Sequence, residues 1–180
     1  MRLYLFGHDF HFELENVCRL FLPLEKVITI HEEEPTDCEG LVVICRMFSD
    51  GDYTRLTCQM CLDGFDEILE SRVKNGISDF LDTCELELCT LLYHLYVKLL
   101  GFTHGWGLIT GVRPGKLLRR LTREMGTDAA LTYFRDKLLV SDEKRQLGST
   151  TLDAEDRLLS LSAPNSFSLY VSIPFCPTRC

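Results

Sequence analysis

Short apolar runs separated by polar breaks occupy the first 62 residues, a pattern typical of strands joined by turns. The runs predict strands over residues 2–6, 26–30, 41–48 and 53–62. Apolar residues at helical spacing predict a helix over residues 13–22, ended by Pro23. Asp50-Gly51 is typical of a hairpin turn between the last two strands. We therefore expect the order β-α-β-β-β, in a small, mostly antiparallel sheet with one helix on a face.

From Ile77 onward the apolar positions recur by threes and fours, so the period becomes helical. This spacing predicts a long helix that is stopped by Gly101. Further helices are expected over residues 115–124, after Pro114, and over residues 128–138 and 142–161. Residues 162–166 form a linker, and residues 167–173 are predicted to be a last strand. The fold class is therefore α+β, with a sheet subdomain over residues 1–70 and a helical subdomain over residues 71–161.

Composition and charge narrow the possible functions. The 180 residues are 46% hydrophobic and carry a formal net charge of −8, which opposes nucleic-acid binding through the whole surface. No apolar run reaches the roughly 18 residues of a membrane span, and the N-terminus lacks a signal-peptide pattern. The nine cysteines are an odd number in a chain without a secretion signal, which disfavours a disulfide framework. We expect a cytoplasmic protein that neither enters a membrane nor binds nucleic acid.

Two segments carry chemistry. Residues 170–180, Tyr-Val-Ser-Ile-Pro-Phe-Cys-Pro-Thr-Arg-Cys, join a β-prone run to two cysteines, and thiolates are the usual ligands of iron–sulfur clusters. Residues 105–117, Gly-Trp-Gly-Leu-Ile-Thr-Gly-Val-Arg-Pro-Gly-Lys-Leu, place glycines before a helix start. The first segment resembles the opening of the radical SAM (S-adenosylmethionine) domain in oxygen-independent coproporphyrinogen III oxidase-like enzymes. The second resembles a segment of the coproporphyrinogen dehydrogenase branch of that family.

The resemblance implies a radical SAM enzyme that decarboxylates coproporphyrinogen III oxidatively to protoporphyrinogen IX in haem biosynthesis. In that family the cluster motif is Cys-x3-Cys-x2-Cys, so Cys176 and Cys180 would be two of three ligands of a [4Fe–4S] cluster that binds S-adenosylmethionine. Tyr170 would lie near the bound cofactor, while Ser172 stands where the family often has histidine. Residues 162–180 would be a linker and the first strand of a truncated radical SAM barrel. Because two thiolates should not hold a cluster stably, we expect none on this chain alone.

Arg113 and Lys116 stand beside a predicted helix start, where free N–H groups favour anions. One hypothesis is that they contact a substrate carboxylate of the porphyrinogen or the barrel that follows. The alternative is that the glycines, Trp106 and Arg113 only fix a corner between subdomains. The basic positions 116, 119, 120 and 123 share one flank of the predicted helix, with Leu117, Leu118 and Leu121 facing inward, and we interpret them as a solvated face.

Other candidate sites are weak. Cys58 and Cys61 form a lone Cys-x-x-Cys on a predicted strand, where alternation turns the two thiols to opposite faces. The five histidines are scattered. Residues 1–165 would be an accessory domain of an enzyme that also needs an electron donor. The alternative functions are a haem-binding or docking module of a non-decarboxylating relative and a nucleic-acid-binding domain.

Overall fold

A computed structural model describes residues 1–37, 39–111, 113–163, 165–167 and 169–173. Five strands form one mixed sheet, and five helices follow or interrupt them, so the α+β class is confirmed. The strands are β1 (Arg2–Phe6), β2 (Ile28–His31), β3 (Val42–Asp50), β4 (Tyr53–Leu62) and β5 (Phe65–Lys74). The helices are α1 (His11–Phe21), α2 (Phe80–Leu100), α3 (Pro114–Met125), α4 (Thr127–Asp136) and α5 (Asp142–Ser160).

The sheet has the order β2-β1-β3-β4-β5. β1 lies parallel to both β2 and β3, whereas β3, β4 and β5 pair antiparallel. The expectation of a mostly antiparallel sheet is therefore wrong, since two of the four pairings are parallel. The reason is that α1 carries the chain from the end of β1 to the start of β2, and the connection after β2 carries it back again to the start of β3; parallel neighbours need such crossovers.

The fifth strand, β5, was not predicted. It follows β4 through a tight hairpin in which Asp63 and Gly64 have φ of 41° and 90°, the backbone that an Asp-Gly turn favours. β5 runs past residue 70 to Lys74, across the expected subdomain boundary at 70/71, which stays a prediction.

Both α1 and α2 cover one face of the sheet, so the expectation of a single helix there is also wrong. β-Strand alternation sends Leu3 and Leu5 of β1, with Leu56 of β4, into this layer, where each is fully buried. Phe21 of α1 stacks on Tyr96 of α2 with ring centroids 4.9 Å apart. The large apolar core therefore lies between the sheet and this pair of helices.

A second core holds α3, α4 and α5 together. Leu118 and Leu121 of α3 pack with Phe134 of α4 and Leu152 of α5. The connection between α4 and α5 contributes Val140, which is also buried. These three helices carry the segment that precedes α3, and with it the candidate site.

The expected last strand is not formed in the described residues 167 and 169–173. A strand is stabilised by pairing with a neighbour, and these residues make no pairing with the five strands of the sheet. Their apolar side chains are exposed, as in Phe167, Tyr170 and Ile173. The first strand of a barrel stays an expectation from the resemblance.

Candidate anion-binding surface

The Gly-Trp-Gly part of the motif is bound to the connection between α4 and α5. The backbone N–H of Leu108 donates to the carbonyl of Leu138 at 2.8 Å, and the N–H of Ser141 donates to the carbonyl of Gly105 at 2.9 Å. Lys144 of α5 places its Nζ 5.9 Å from the centre of the Trp106 ring. These contacts fix the segment before α3 against the start of α5.

Gly107 is required by this arrangement. Its φ is +56°, and a Cβ built there would lie 2.0 Å from the Leu138 carbonyl oxygen and 2.5 Å from the Leu139 backbone. Gly111 also has a positive φ, +66°, but nothing lies within 4 Å of its Cβ position, and the same space is open at Gly115. Close approach of two backbones therefore explains Gly107 and does not explain the other two glycines.

Tyr93 of α2 holds the residue just before the Gly-Trp-Gly part, His104. Its hydroxyl accepts a hydrogen bond from the backbone N–H of His104 at 2.9 Å and lies 3.3 Å from the His104 carbonyl, to which it can donate. Burial raises the pKa of this phenol, so it stays protonated at neutral pH. The loop between α2 and α3 is thus tied to both cores, which is the corner-forming role that the sequence left open.

α3 begins where Pro114 occupies the first helical position and Arg113 precedes it in extended backbone. Proline favours this position because its missing N–H has no helical partner there. Arg113 and Lys116 line one open groove of about 510 Å³ together with Leu117 and Arg120. The structure therefore brings together the two residues predicted to contact a carboxylate.

A second open groove of about 430 Å³ adjoins the first, since Lys116 and Arg120 line both. Arg119, Arg123 and Glu124 also line this second groove. Positions 113, 116, 120 and 123 fall on one stripe of the helix, which spans about 15 Å at 1.5 Å per residue. We call these four side chains the basic stripe.

The basic stripe is almost without counter-charge in the part of the chain that the structure describes. Its one ion pair is between Arg120 Nε and Glu124 Oε1 at 3.8 Å, and both groups are exposed. Like charges three or four residues apart on a helix each cost a few tenths of a kcal/mol. The stripe thus concentrates unneutralised positive charge on a chain whose net charge is −8.

Arg119 differs from its neighbours. It turns toward α5, where Nη2 donates to Glu155 at 2.8 Å and Nη1 donates to Asp156. These hydrogen bonds raise the pKa of the guanidinium, with Asp156 the larger cause. Arg119 therefore links α3 to α5, although the sequence grouped it with the solvated basic face.

Of the three leucines expected to face inward, Leu118 and Leu121 are buried, whereas Leu117 is half-buried and lines the first groove. Leu117 gives that groove an apolar wall between cationic side chains. Its position on the boundary of the stripe was not distinguishable from the sequence, because inward and groove-lining leucines share the same spacing.

The cysteines and the tyrosine singled out in the sequence lie in different parts of the chain. Cys176 and Cys180 lie outside the described residues. Tyr170 is 87% exposed, and its place near a cofactor stays a prediction. Cys58 lies in the large core and Cys61 packs on the opposite sheet face, which confirms that this Cys-x-x-Cys does not converge.

Within the described ranges, no group of three or more histidine, cysteine or acidic side chains is arranged to hold a metal ion. Five of the described cysteines are buried: Cys18, Cys45, Cys58, Cys84 and Cys89. Burial raises the pKa of Cys18 to about 12, as expected of a thiol packed as a small apolar side chain.

Comparison with known proteins relates the chain to one protein in particular. It is 27% identical, over 183 aligned positions, to the oxygen-independent coproporphyrinogen-III oxidase-like protein HemZ of Bacillus subtilis strain 168. The chain is a homologue of HemZ. The alignment takes in 96% of this chain but 35% of HemZ, so the chain spans about a third of that relative's length. The resemblance to oxygen-independent coproporphyrinogen III oxidase-like proteins is confirmed by this similarity.

No protein-family model matches the chain, and no solved structure matches it. Among the helices of the described residues, none combines the length and the apolar character needed to cross a membrane.

Proposed function

We propose that this chain is the amino-terminal accessory region of a radical SAM enzyme that decarboxylates coproporphyrinogen III oxidatively to protoporphyrinogen IX. The observation that supports this most is the similarity to HemZ across nearly the whole chain, since the printed name of HemZ describes a coproporphyrinogen-III oxidase-like protein. The terminal Cys-x3-Cys sequence adds support that does not depend on that name.

Cys176 and Cys180 would supply two thiolate ligands of a [4Fe–4S] cluster, and Tyr170 would lie beside the S-adenosylmethionine. Sulfur donors fit the chemistry of such a cluster. The thiols of Cys45 and Cys58 lie 3.4 Å apart in the core, but within the described residues no group of three or more histidine, cysteine or acidic side chains could hold a metal ion. When bound, the cluster and S-adenosylmethionine would supply the radical chemistry that oxidation of a propionate side chain requires.

Arg113 and Lys116 would bind a carboxylate of the porphyrinogen. Both are exposed, both line the first groove, and neither has an ion-pair partner within the described residues. A guanidinium and an ammonium beside an α-helix N-terminus form a favourable place for a carboxylate. In this role the two side chains hold and orient the substrate, while the Gly-Trp-Gly segment fixes the start of α3.

The test is anaerobic turnover by the longer protein that would contain this region, after iron and sulfide reconstitution and with S-adenosylmethionine and a reductant. Formation of protoporphyrinogen IX, measured by chromatography after oxidation to the porphyrin, is the expected result. Stoichiometric haem binding without porphyrinogen turnover would contradict the proposal and favour a haem carrier.

A further inference from the structure

The basic stripe extends beyond the two residues assigned to the carboxylate above. Arg120 shares the first groove with Arg113 and Lys116, and it shares the second groove with Arg123. Arg113, Lys116 and Arg123 have no counter-ion within the described ranges, and Arg120 has only the long, exposed contact with Glu124. The two grooves therefore form one continuous cationic surface.

From this surface we propose that α3 binds a ligand that carries at least two separate carboxylates, with Arg120 and Arg123 as its second contact point. This inference rests on the proposed function for the identity of the ligand, a porphyrinogen with propionate groups on different edges. One carboxylate would lie at Arg113 and Lys116, and another at Arg120 and Arg123.

The geometry favours a polycarboxylate over a single small anion. Adjacent positions of the stripe are about 5–6 Å apart, and the whole stripe is about 15 Å long, so one carboxylate cannot contact all four cations. Leu117 gives the first groove an apolar wall against which a flat organic ring can pack. The carboxylate of Glu124 in the second groove repels a ligand carboxylate. Its contact with Arg120 is exposed and weak, so it neutralises Arg120 only slightly.

The geometry also disfavours nucleic acid as the ligand. Among the described side chains that line the two grooves none is aromatic, so these provide no platform on which a base can stack. The chain's net charge of −8 would repel the phosphates that extend beyond the stripe. A compact polycarboxylate contacts the stripe alone and avoids that repulsion.

The test is equilibrium binding of coproporphyrin III, a stable tetracarboxylate, to the 180-residue chain by fluorescence titration at low salt. The double variant Arg120→Gln with Arg123→Gln should raise Kd about tenfold, as expected for two exposed charge contacts. The matched control is Arg157→Gln with Lys74→Gln, which removes the same two positive charges from exposed positions outside both grooves and should leave Kd unchanged. Circular dichroism checks that each variant is folded.

Three results would overturn the inference. The double variant could bind with unchanged Kd, the tetramethyl ester of the porphyrin could bind as tightly as the free acid, or a single-stranded oligonucleotide could bind more tightly than either.

Turnover separates this inference from the proposed function. If the longer protein converts coproporphyrinogen III and the double variant has the same KM, the function stands and the stripe is not a substrate contact. If the chain binds the tetracarboxylate through the basic stripe but the longer protein converts no porphyrinogen, the binding site is supported and the proposed reaction is contradicted.

Discussion

Replacing Gly107 by alanine tests whether the glycine motif is structural. The added Cβ would meet the Leu138 carbonyl oxygen at 2.0 Å, a distance that real Cβ atoms do not adopt, so one backbone must move. The same carbonyl accepts the 2.8 Å hydrogen bond from the Leu108 N–H. The substitution thus strains the left-handed backbone at φ +56° and displaces the contact that joins the loop to the α4–α5 connection.

The expected cost can be assembled from these two effects. An L-residue in left-handed backbone costs about 1–2 kcal/mol. Loss of one hydrogen bond adds about 0.5–1.5 kcal/mol. Gly107→Ala should therefore destabilise the chain by about 1.5–3.5 kcal/mol, before any cost of moving the Leu139 backbone.

Two glycines of the same motif provide matched controls. Gly111→Ala keeps only the backbone cost, about 1–2 kcal/mol, because its φ is +66° and its surroundings are open. Gly115→Ala lies in the first turn of α3 with open space around it, so it should stabilise by up to about 1 kcal/mol. The expected order of stability is Gly115→Ala, unaltered chain, Gly111→Ala, Gly107→Ala.

Urea unfolding measures this order with two probes. Trp106 is the single tryptophan of the chain and lies inside the motif, so its fluorescence reports the loop, while far-ultraviolet circular dichroism reports the helices. If Gly107→Ala were as stable as Gly111→Ala, the close approach to Leu138 would not be a real constraint, and the structural role of the motif would be refuted.

Three further outcomes follow from burial and charge. Leu92→Ala, at a side chain with 0% exposure, should lower the free energy of unfolding by about 2–5 kcal/mol. Leu24→Ala, at a side chain with 99% exposure, should leave it unchanged. Equal urea midpoints for the two variants would contradict the core assignment. Because burial raises the pKa of Cys18 to about 12, this thiol should resist iodoacetamide at pH 8 in the folded chain and react in urea, as mass spectrometry can show; labelling of the folded chain would contradict its burial. Burial lowers the pKa of His8 below 6.5, so the unfolded chain binds a proton there more readily, and this stabilising contribution, present above pH 6.5, is lost as the pH falls. His8→Asn should therefore lose less stability than the unaltered chain between pH 7.5 and pH 5, and identical pH dependence in urea unfolding would count against the shift.

The sheet shows what the sequence could and could not predict. β3 and β4 were predicted because a continuous apolar run and Asp50-Gly51 both mark the hairpin. The second hairpin carries the same dipeptide at Asp63-Gly64, but β5 is an edge strand in which charged residues interrupt the apolar positions. Its apolar residues reach the core only at every fourth position. This spacing is not the strict alternation of apolar and polar residues that predicts a strand.

Strand order depends on contacts that no local pattern contains. β1 lies between β2 and β3, and both pairings are parallel. Their register joins Leu3 to Thr29 on one side and to Val43 on the other, across 25 and more residues of chain. The apolar run of β1 indicates a buried strand. Which strands pair with β1 depends on how α1 and α2 pack on the sheet.

Local pattern and long-range contacts also differ in what they determine at the candidate surface. The helical period correctly predicts that cations share one flank of α3. It could not separate Arg119 from Arg120, since Glu155 and Asp156 lie on α5 some 36 residues away in the chain. Once Arg119 is neutralised by α5, the remaining cations face open grooves rather than a protein neighbour in the described chain. The motif thus divides into a half around Gly107 that packs closely on the α4–α5 connection and a half from Arg113 onward that we propose binds the ligand. A substitution in the first half should change stability before affinity, and one in the second half should change affinity before stability.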